Sequence, residues 1–255
     1  MDAITRSEIF FVVLARTKDG VKEKIAELEN LGIPFVIVCG EKTDHPNVVY
    51  RPKKGKFDAI NFGAKFLRPE TKVVCLNDVD TRIYNFEKSL SKLSKGLVLV
   101  FCKVRLDSGP QVHFYSLLDR IRSSLPINSS GELMLVERRV FDRILPIPPC
   151  KTEDNYISFR VLELGYKLFF CEDCWVETKR TQTLDEEERY KTRTVTGLYQ
   201  ALSLTEPPIL VRVFYLILPF LTPLLLLQGR RGLAWANGIL HGFTNFLRGD
   251  KEGKF

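Results

Sequence analysis

Lys72-Val-Val-Cys-Leu-Asn-Asp-Val-Asp80 is an apolar run that stops abruptly at an amide and two acids. A short apolar run closed by turn-forming Asn and Asp is the pattern of a strand buried on both faces. Acids at i and i+2 diverge on an extended strand, but where the chain turns both can reach one bound ion. Hard divalent cations such as Mg2+ take one or two carboxylates and complete their shell with substrate phosphates. An Asn- and Asp-rich turn also ends strands with no ion involved. Spacing alone leaves both readings open.

Similar segments lie on either side. Ile9-Phe-Phe-Val-Val-Leu-Ala15 and Ile33-Pro-Phe-Val-Ile-Val-Cys39 read as buried parallel strands, and Val48-Val-Tyr50 as a short third. Between the first two, Val21, Ile25, Leu28 and Leu31 form one helical stripe that Gly32 ends. Phe57 to Leu67 reads as helix, and Leu97 to Val104 as a fifth strand. Strand–helix alternation with short connections predicts a doubly wound α/β sheet, with ligands at the carboxyl ends of its strands. Chemistry is therefore expected just after Ala15, Cys39 and Asn77. Further on, His113 to Ser123 reads as helix and Gly131 to Glu137 as strand. Thr152 is placed to cap a helix with the buried stripe Ile157, Val161 and Leu164, stopped by Gly165. Tyr166 to Cys171 reads as strand, and Leu184 to Leu204 as a helix before Pro207-Pro208.

Of the 255 residues 45% are apolar and 27% charged, which excludes a disordered or fibrous chain. The formal net charge of +7 suits anionic partners. Residues 205–255 carry three more Lys and Arg than Asp and Glu beside the longest apolar run, which favours a membrane over nucleic acid. No nucleic-acid-binding module is recognisable. The six cysteines include one close pair, Cys171 and Cys174, with no second pair or nearby His to complete a zinc site. The N-terminal stretch Met1 to Glu8 lacks the pattern of a signal peptide, so the soluble part is expected in the cytoplasm.

Three further clusters have candidate chemistry. Lys53-Lys54-Gly55-Lys56 opens a helix, where cations and free N–H groups can hold a diphosphate, or stand as a solvated loop. Glu153-Asp154 occupies a first helical turn, where an ionised Asp can serve as general base, or merely stabilise the helix. Arg189-Tyr-Lys-Thr-Arg193 can neutralise phosphate or form an exposed helix face.

The order of these signals carries more than each alone. A basic loop, Asp58-x-x-Asn61-x-Gly63, Leu76-Asn-Asp-Val-Asp80, a Gly131 strand with Arg138-Arg139, Thr152-Glu-Asp154 and Leu164-Gly-Tyr-Lys167 resemble the family-2 inverting glycosyltransferases, over roughly residues 8–200. The resemblance implies the A-type fold: a mixed, mostly parallel doubly wound α/β sheet, here with a C-terminal apolar helical tail. It implies that Asp80 binds Mg2+ or Mn2+ on a nucleotide-sugar diphosphate and that Asp78 faces the nucleotide. Asp154 matches the family's catalytic base, with Glu153 beside it. Lys56 and Asp58 fall where the family touches the nucleotide. Glu41 and Asp44 are the available contacts to base or ribose. Arg193 and Gly197 match part of the Gln-x-x-Arg-Trp pattern of processive synthases. Tyr190 and Thr194 replace its Gln and Trp, which argues for transfer of a single sugar. The donor would be a UDP- or GDP-sugar. Two other readings are a sugar-nucleotide nucleotidylyltransferase, for which Arg16-Thr-Lys-Asp-Gly20 is a poor phosphate loop, and a degenerate scaffold.

The tail predicts how the enzyme meets its acceptor. Ile209 to Gln228 contains one charge, Arg212, and as an unbroken helix would span about 30 Å. Crossing once would put Arg230 and Arg231 outside, against the positive-inside rule. An interfacial or re-entrant helix pair keeps them on the cytoplasmic face, with Trp235 near the headgroups. The expected organisation is a catalytic domain, 1–204, and a membrane-associating tail, 205–255, which favours a lipid-linked or glycan acceptor.

Overall fold

The computed structural model describes residues 4–93 and 97–249. Residues 1–3 of the N-terminal stretch and residues 250–255 of the expected tail lie outside them.

The strands are β1 (Ile9–Ala15), β2 (Phe35–Cys39), β3 (Val48–Tyr50), β4 (Val73–Asp78), β5 (Thr81–Tyr84), β6 (Leu99–Leu106), β7 (Leu133–Glu137) and β8 (Leu168–Thr178). They form one sheet in the order β3-β2-β1-β4-β7-β6-β8-β5. Four of its seven pairings are parallel, β2 to β3, β1 to β2, β1 to β4 and β6 to β8, and the other three are antiparallel. The expected mixed, mostly parallel α/β sheet is thus observed.

Alternation along β1 builds a core on each face of the sheet. Phe10, Val12 and Leu14 join one core with α2 (Lys56–Gly63), α5 (Arg138–Ile144), α6 (Glu153–Glu163) and α7 (Leu184–Ser203). Phe11, Val13 and Ala15 join the other with α1 (Val21–Leu31) and α3 (Phe86–Leu93), while α4 (Val112–Ser124) contributes Tyr115 there. Helix α2 approaches β1 closely because position 63 has no side chain: a Cβ there would lie 2.5 Å from Val12 Cγ1.

Strand β8 runs well past the expected end at Cys171, and its register against β6 jumps from Cys102↔Cys171 to Lys103↔Trp175. The extra residues form a bulge that leaves Glu172 and Asp173 exposed and both flanking cysteines buried and free. Among the described residues, no three His, Cys, Asp or Glu side chains are grouped to hold a metal.

The tail is a helical hairpin docked on the sheet's helical layer. Its first arm contains α8 (Ile209–Ile217) and α9 (Thr222–Leu225), joined by short 3-10 turns, and its second is α10 (Gly229–Leu247). Gly229 turns the chain at φ +64, and a Cβ at Gly232 would overlap the Leu225 carbonyl. Val211, Tyr215 and Ile239 are buried in the same core as α6 and α7. Glycines set the α7–α10 spacing: a Cβ on Gly238 would lie 2.6 Å from Lys191 Cβ, and one on Gly242 2.7 Å from Val195 Cβ. Tyr199 donates its hydroxyl to the Tyr215 carbonyl at 2.7 Å.

Trp235 does not lie on an outer face, as expected of a headgroup anchor. It is buried, stacked on Phe114 at 4.3 Å between ring centroids, with Lys191 Nζ 3.5 Å from its ring. The amphipathic face of α10 turns the indole inward, where its large apolar area packs on α4. The exposed apolar face belongs mainly to the first arm, where Leu210, Phe220 and Leu227 are 80%, 77% and 83% exposed. By length and composition Ile209–Leu247 is sufficient to cross a membrane, although the turn at Gly229 divides it.

Candidate functional site

A cavity of about 650 Å3 opens at the carboxyl ends of β1 and β2. Leu14, Ala15, Val38 and Cys39 form its floor, the loop from Arg51 to Lys56 one wall, and Arg193 of α7 reaches it from the other side. The loops close here because residue 40 is glycine: a Cβ would lie 2.5 Å from the Arg16 carbonyl oxygen and 2.8 Å from Lys53 Cε. Arg16, Arg51, Lys53, Lys54, Lys56 and Arg193 all line the cavity, a surplus of positive charge that suits a diphosphate. Gly55, at φ +119, ends the loop and directs the first N–H groups of α2 toward the same region.

Lys56 links this cavity to the acids. Its Nζ lies 2.6 Å and 2.8 Å from the Asp78 carboxylate oxygens and 3.7 Å from Glu153 Oε1. Thus the loop before α2, the end of β4 and the first turn of α6 converge on one ammonium. Burial opposes charge on Lys56, but Asp78 and Glu153 outweigh it, and the ammonium titrates above its ordinary range. Burial also raises Glu153, to about 7, with Lys56 opposing and Asp154 reinforcing the shift. Asp154 is raised by burial too, against the N–H of Asn155, which donates to its Oδ1 at 2.9 Å. Gly131 flanks both acids: a Cβ on it would sit 3.6 Å from Glu153 Oε1 and from Asp154 Oδ2.

The remaining expected residues lie in different settings, and two of them, Arg138 and Arg139, stand at the opposite end of β4, where the Arg138 N–H donates to the Lys72 carbonyl. Asp80 is exposed on the turn between β4 and β5. Asp58 accepts two hydrogen bonds from Arg51, at 2.7 Å and 2.8 Å, and holds that guanidinium against the cavity. Glu41 sits at the rim, accepting from the Lys18 N–H at 3.1 Å and lying 3.7 Å from Lys53 Nζ. Thr152 occupies the cap position of α6, but its hydroxyl does not cap the helix. It is pressed against Gly197, where a Cβ would lie 2.6 Å from Thr152 Oγ1, so α7 rests directly on the turn that presents Glu153 and Asp154. Arg138 and Arg139 are on α5, paired with Asp142 and Glu137.

Two further groups are not evident from motif spacing. Lys24 is buried beneath the acidic turn, donating to Asn77 Oδ1 at 2.9 Å, to Thr81 O at 2.5 Å and to Glu27 Oε2 at 2.6 Å. Asn77 in turn donates to Thr81 Oγ1 at 2.8 Å, so the residues flanking Asp78-Val79-Asp80 are braced from below. Lys24 follows Val21 by three residues and precedes Leu28 by four, which puts it on the buried stripe of α1. Arg180 pairs with Glu132 and lies 5.0 Å from the Tyr190 ring.

The Asp-x-Asp turn implies a divalent ion. Asp78 and Asp80 provide hard oxygen donors, and Asp78, Glu153 and Asp154 exceed the charge of Lys56, which favours a further cation. No three protein ligands converge among the described residues. This is a fit for an ion completed by substrate phosphates rather than for a closed protein cage.

No protein-family model matches the chain, and no curated protein matches it in sequence. In structure it is similar to the mannosyltransferase PcManGT of Pyrobaculum calidifontis in complex with GDP-Man and Mn2+, with a TM-score of 0.73 at 17% identity over 98% of this chain and 90% of that one. It is also similar to GalNAc-T7 with UDP, GalNAc and Mn2+, with a TM-score of 0.49 at 15% identity over 68% of this chain and 43% of that one. A third is the catalytic domain of Drosophila beta1,4-galactosyltransferase 7 in complex with xylobiose, with a TM-score of 0.42 at 17% identity over 64% of each chain. The chain therefore has the A-type fold of the nucleotide-sugar glycosyltransferases.

Proposed function

We propose that this protein is a metal-dependent inverting glycosyltransferase that moves one sugar from a UDP- or GDP-sugar to a lipid-linked or glycan acceptor at the cytoplasmic membrane face. The observation that carries this reading is Lys56, which joins the basic cavity to Asp78 and to the buried Glu153, next to Asp154. The nucleotide occupies the cavity, with Arg51, Lys53 and Lys56 along its phosphates and Glu41 at the base or ribose. Asp58 acts on the nucleotide through Arg51, which it orients. Asp80, with Asp78 beside it, holds Mg2+ or Mn2+, whose chemistry when bound is to neutralise charge on the departing diphosphate.

The acceptor oxygen attacks the anomeric carbon from the face opposite the leaving group. The carbon–oxygen bond to the diphosphate breaks, and its electron pair leaves with the nucleoside diphosphate. Asp154 takes the proton of a hydroxyl acceptor, and the buried first turn of α6 fixes where that carboxylate points. An acceptor that is already an ionised phosphate gives up no proton, and Asp154 then only positions it. The apolar arm Ile209 to Gln228 lies in the membrane interface, with Arg212, Arg230 and Arg231 toward the headgroups.

Asp154→Asn tests the assignment of the base. Expected is unchanged binding of a nucleoside diphosphate with Mn2+, together with loss of transfer to a hydroxyl acceptor. Full transfer activity in Asp154→Asn would remove Asp154 from that role.

A further inference from the structure

The donor reading leaves a second cavity unused. It has a volume of about 440 Å3, lies where α7 meets α10, and is lined by Lys151, Arg189, Arg193, Thr196, His241 and Asn245. Its one lining acid, Glu188, faces His241 Nδ1 at 3.2 Å. Arg189 and Arg193 are one helical turn apart on the same face of α7. Like charges at that spacing repel in the free protein, and a bound anion relieves them. Two guanidinium groups and an ammonium suit the several oxygens of a phosphate better than a single carboxylate.

Position strengthens this reading. Arg193 lines both cavities, and Lys151 immediately precedes the turn carrying Glu153 and Asp154. The Lys151 N–H donates to Gln200 Oε1 of α7 at 3.1 Å, which holds that segment beside the cavity. On α10 an exposed apolar stripe, Leu233, Leu240 and Leu247, runs beside the one bearing His241 and Asn245. A cationic cavity bordered by exposed leucines matches an anionic group on an apolar chain.

We infer that the α7–α10 cavity binds the phosphate or diphosphate group of the acceptor, so that α10 supplies part of the acceptor site as well as a membrane surface. The assignment rests on the transferase reading and names its acceptor class. Its test uses the full chain in neutral detergent, titrated with dodecyl phosphate, inorganic phosphate and, separately, GDP or UDP with Mn2+. Wild type binds dodecyl phosphate, and Arg189→Gln weakens it roughly ten- to hundredfold. Asn245→Asp, which adds an anion from the tail side, weakens it as well, and neither variant changes nucleoside diphosphate affinity. Weaker binding of inorganic phosphate marks the ligand as a lipid headgroup, and equal binding marks a soluble phosphate. Undetectable phosphate binding, or binding that both variants leave unchanged, overturns the assignment. Arg189-dependent phosphate binding in a protein that binds no nucleoside diphosphate would keep this site and sink the transferase reading instead.

Discussion

Lys56 Nζ lies 2.6 Å from Asp78 Oδ2, an ion pair between the loop that walls the cavity and the strand end that carries the acidic turn. The two residues are distant in sequence and meet because β4 lies beside β1 in the sheet while α2 packs across β1. The pair sets the charge state of the whole site, since Glu153 and Asp154 also feel the same ammonium.

Lys56→Met should therefore weaken binding of GDP or UDP roughly ten- to hundredfold, the cost of losing a charge-assisted contact to phosphate. Isothermal titration with Mn2+ present measures this directly. Affinity equal to wild type would show that Lys56 serves the carboxylates alone.

Glu153 makes stability depend on pH. Its folded pKa, about 7, stands above the ordinary 4.5, so the protonated acid favours the folded state. That contribution is fully present below about pH 4.5 and is lost as pH rises through about 7. Wild type should lose on the order of 2–3 kcal/mol relative to Glu153→Gln across this window. Urea midpoints of both proteins along a pH series provide the comparison, and parallel curves would contradict it.

The tail separates two roles that truncation confuses. Removing residues 205–255 strips Val211, Tyr215 and Ile239 from the core, and should destabilise the α6–α7 layer by several kcal/mol. Replacing the exposed Leu210, Phe220, Leu224 and Leu227 together by Gln leaves that core intact. The substituted protein should keep the melting temperature of wild type and lose most of its cosedimentation with anionic vesicles. Retained vesicle binding would remove the first arm from the membrane contact.

Much of this fold is legible in the sequence. The segments Ile9–Ala15 and Val48–Tyr50 match β1 and β3 residue for residue. For β1, buried throughout, the reason is that strands covered on both faces are written as apolar runs, whereas β3 is an edge strand with Tyr50 exposed. Strand β5 and helix α3 are not legible in that way. Thr81-Arg-Ile-Tyr84 is short and half polar, and its strand character comes from pairing with β8, where Tyr84 stacks on Trp175 at 5.5 Å. Polar Glu172 and Asp173 mask the continuity of β8, since they mark a bulge rather than an end. Within the site, Asp78 and Glu153 lie against Lys56 with Asp154 next to them, whereas Asp58 pairs with Arg51 and Asp80 stands exposed on its turn. Lys24 and Arg51 escape notice because their roles depend on long-range partners, Asn77 and Thr81 for one and the cavity wall for the other. The docking of α10 on α7 is written in the spacing of Gly238 and Gly242, which is informative only once the two helices are known to touch.

In the proposed function, the acidic turn and the basic cavity together bind a nucleotide diphosphate through a divalent ion. Titration of the full chain with UDP- and GDP-sugars, with and without Mn2+, tests it most directly. One of these donors should bind wild type only with the metal present, and Asp80→Ala should abolish the metal-dependent gain. Failure of every donor to bind, or equal metal-dependent binding by Asp80→Ala, would overturn this assignment of the site.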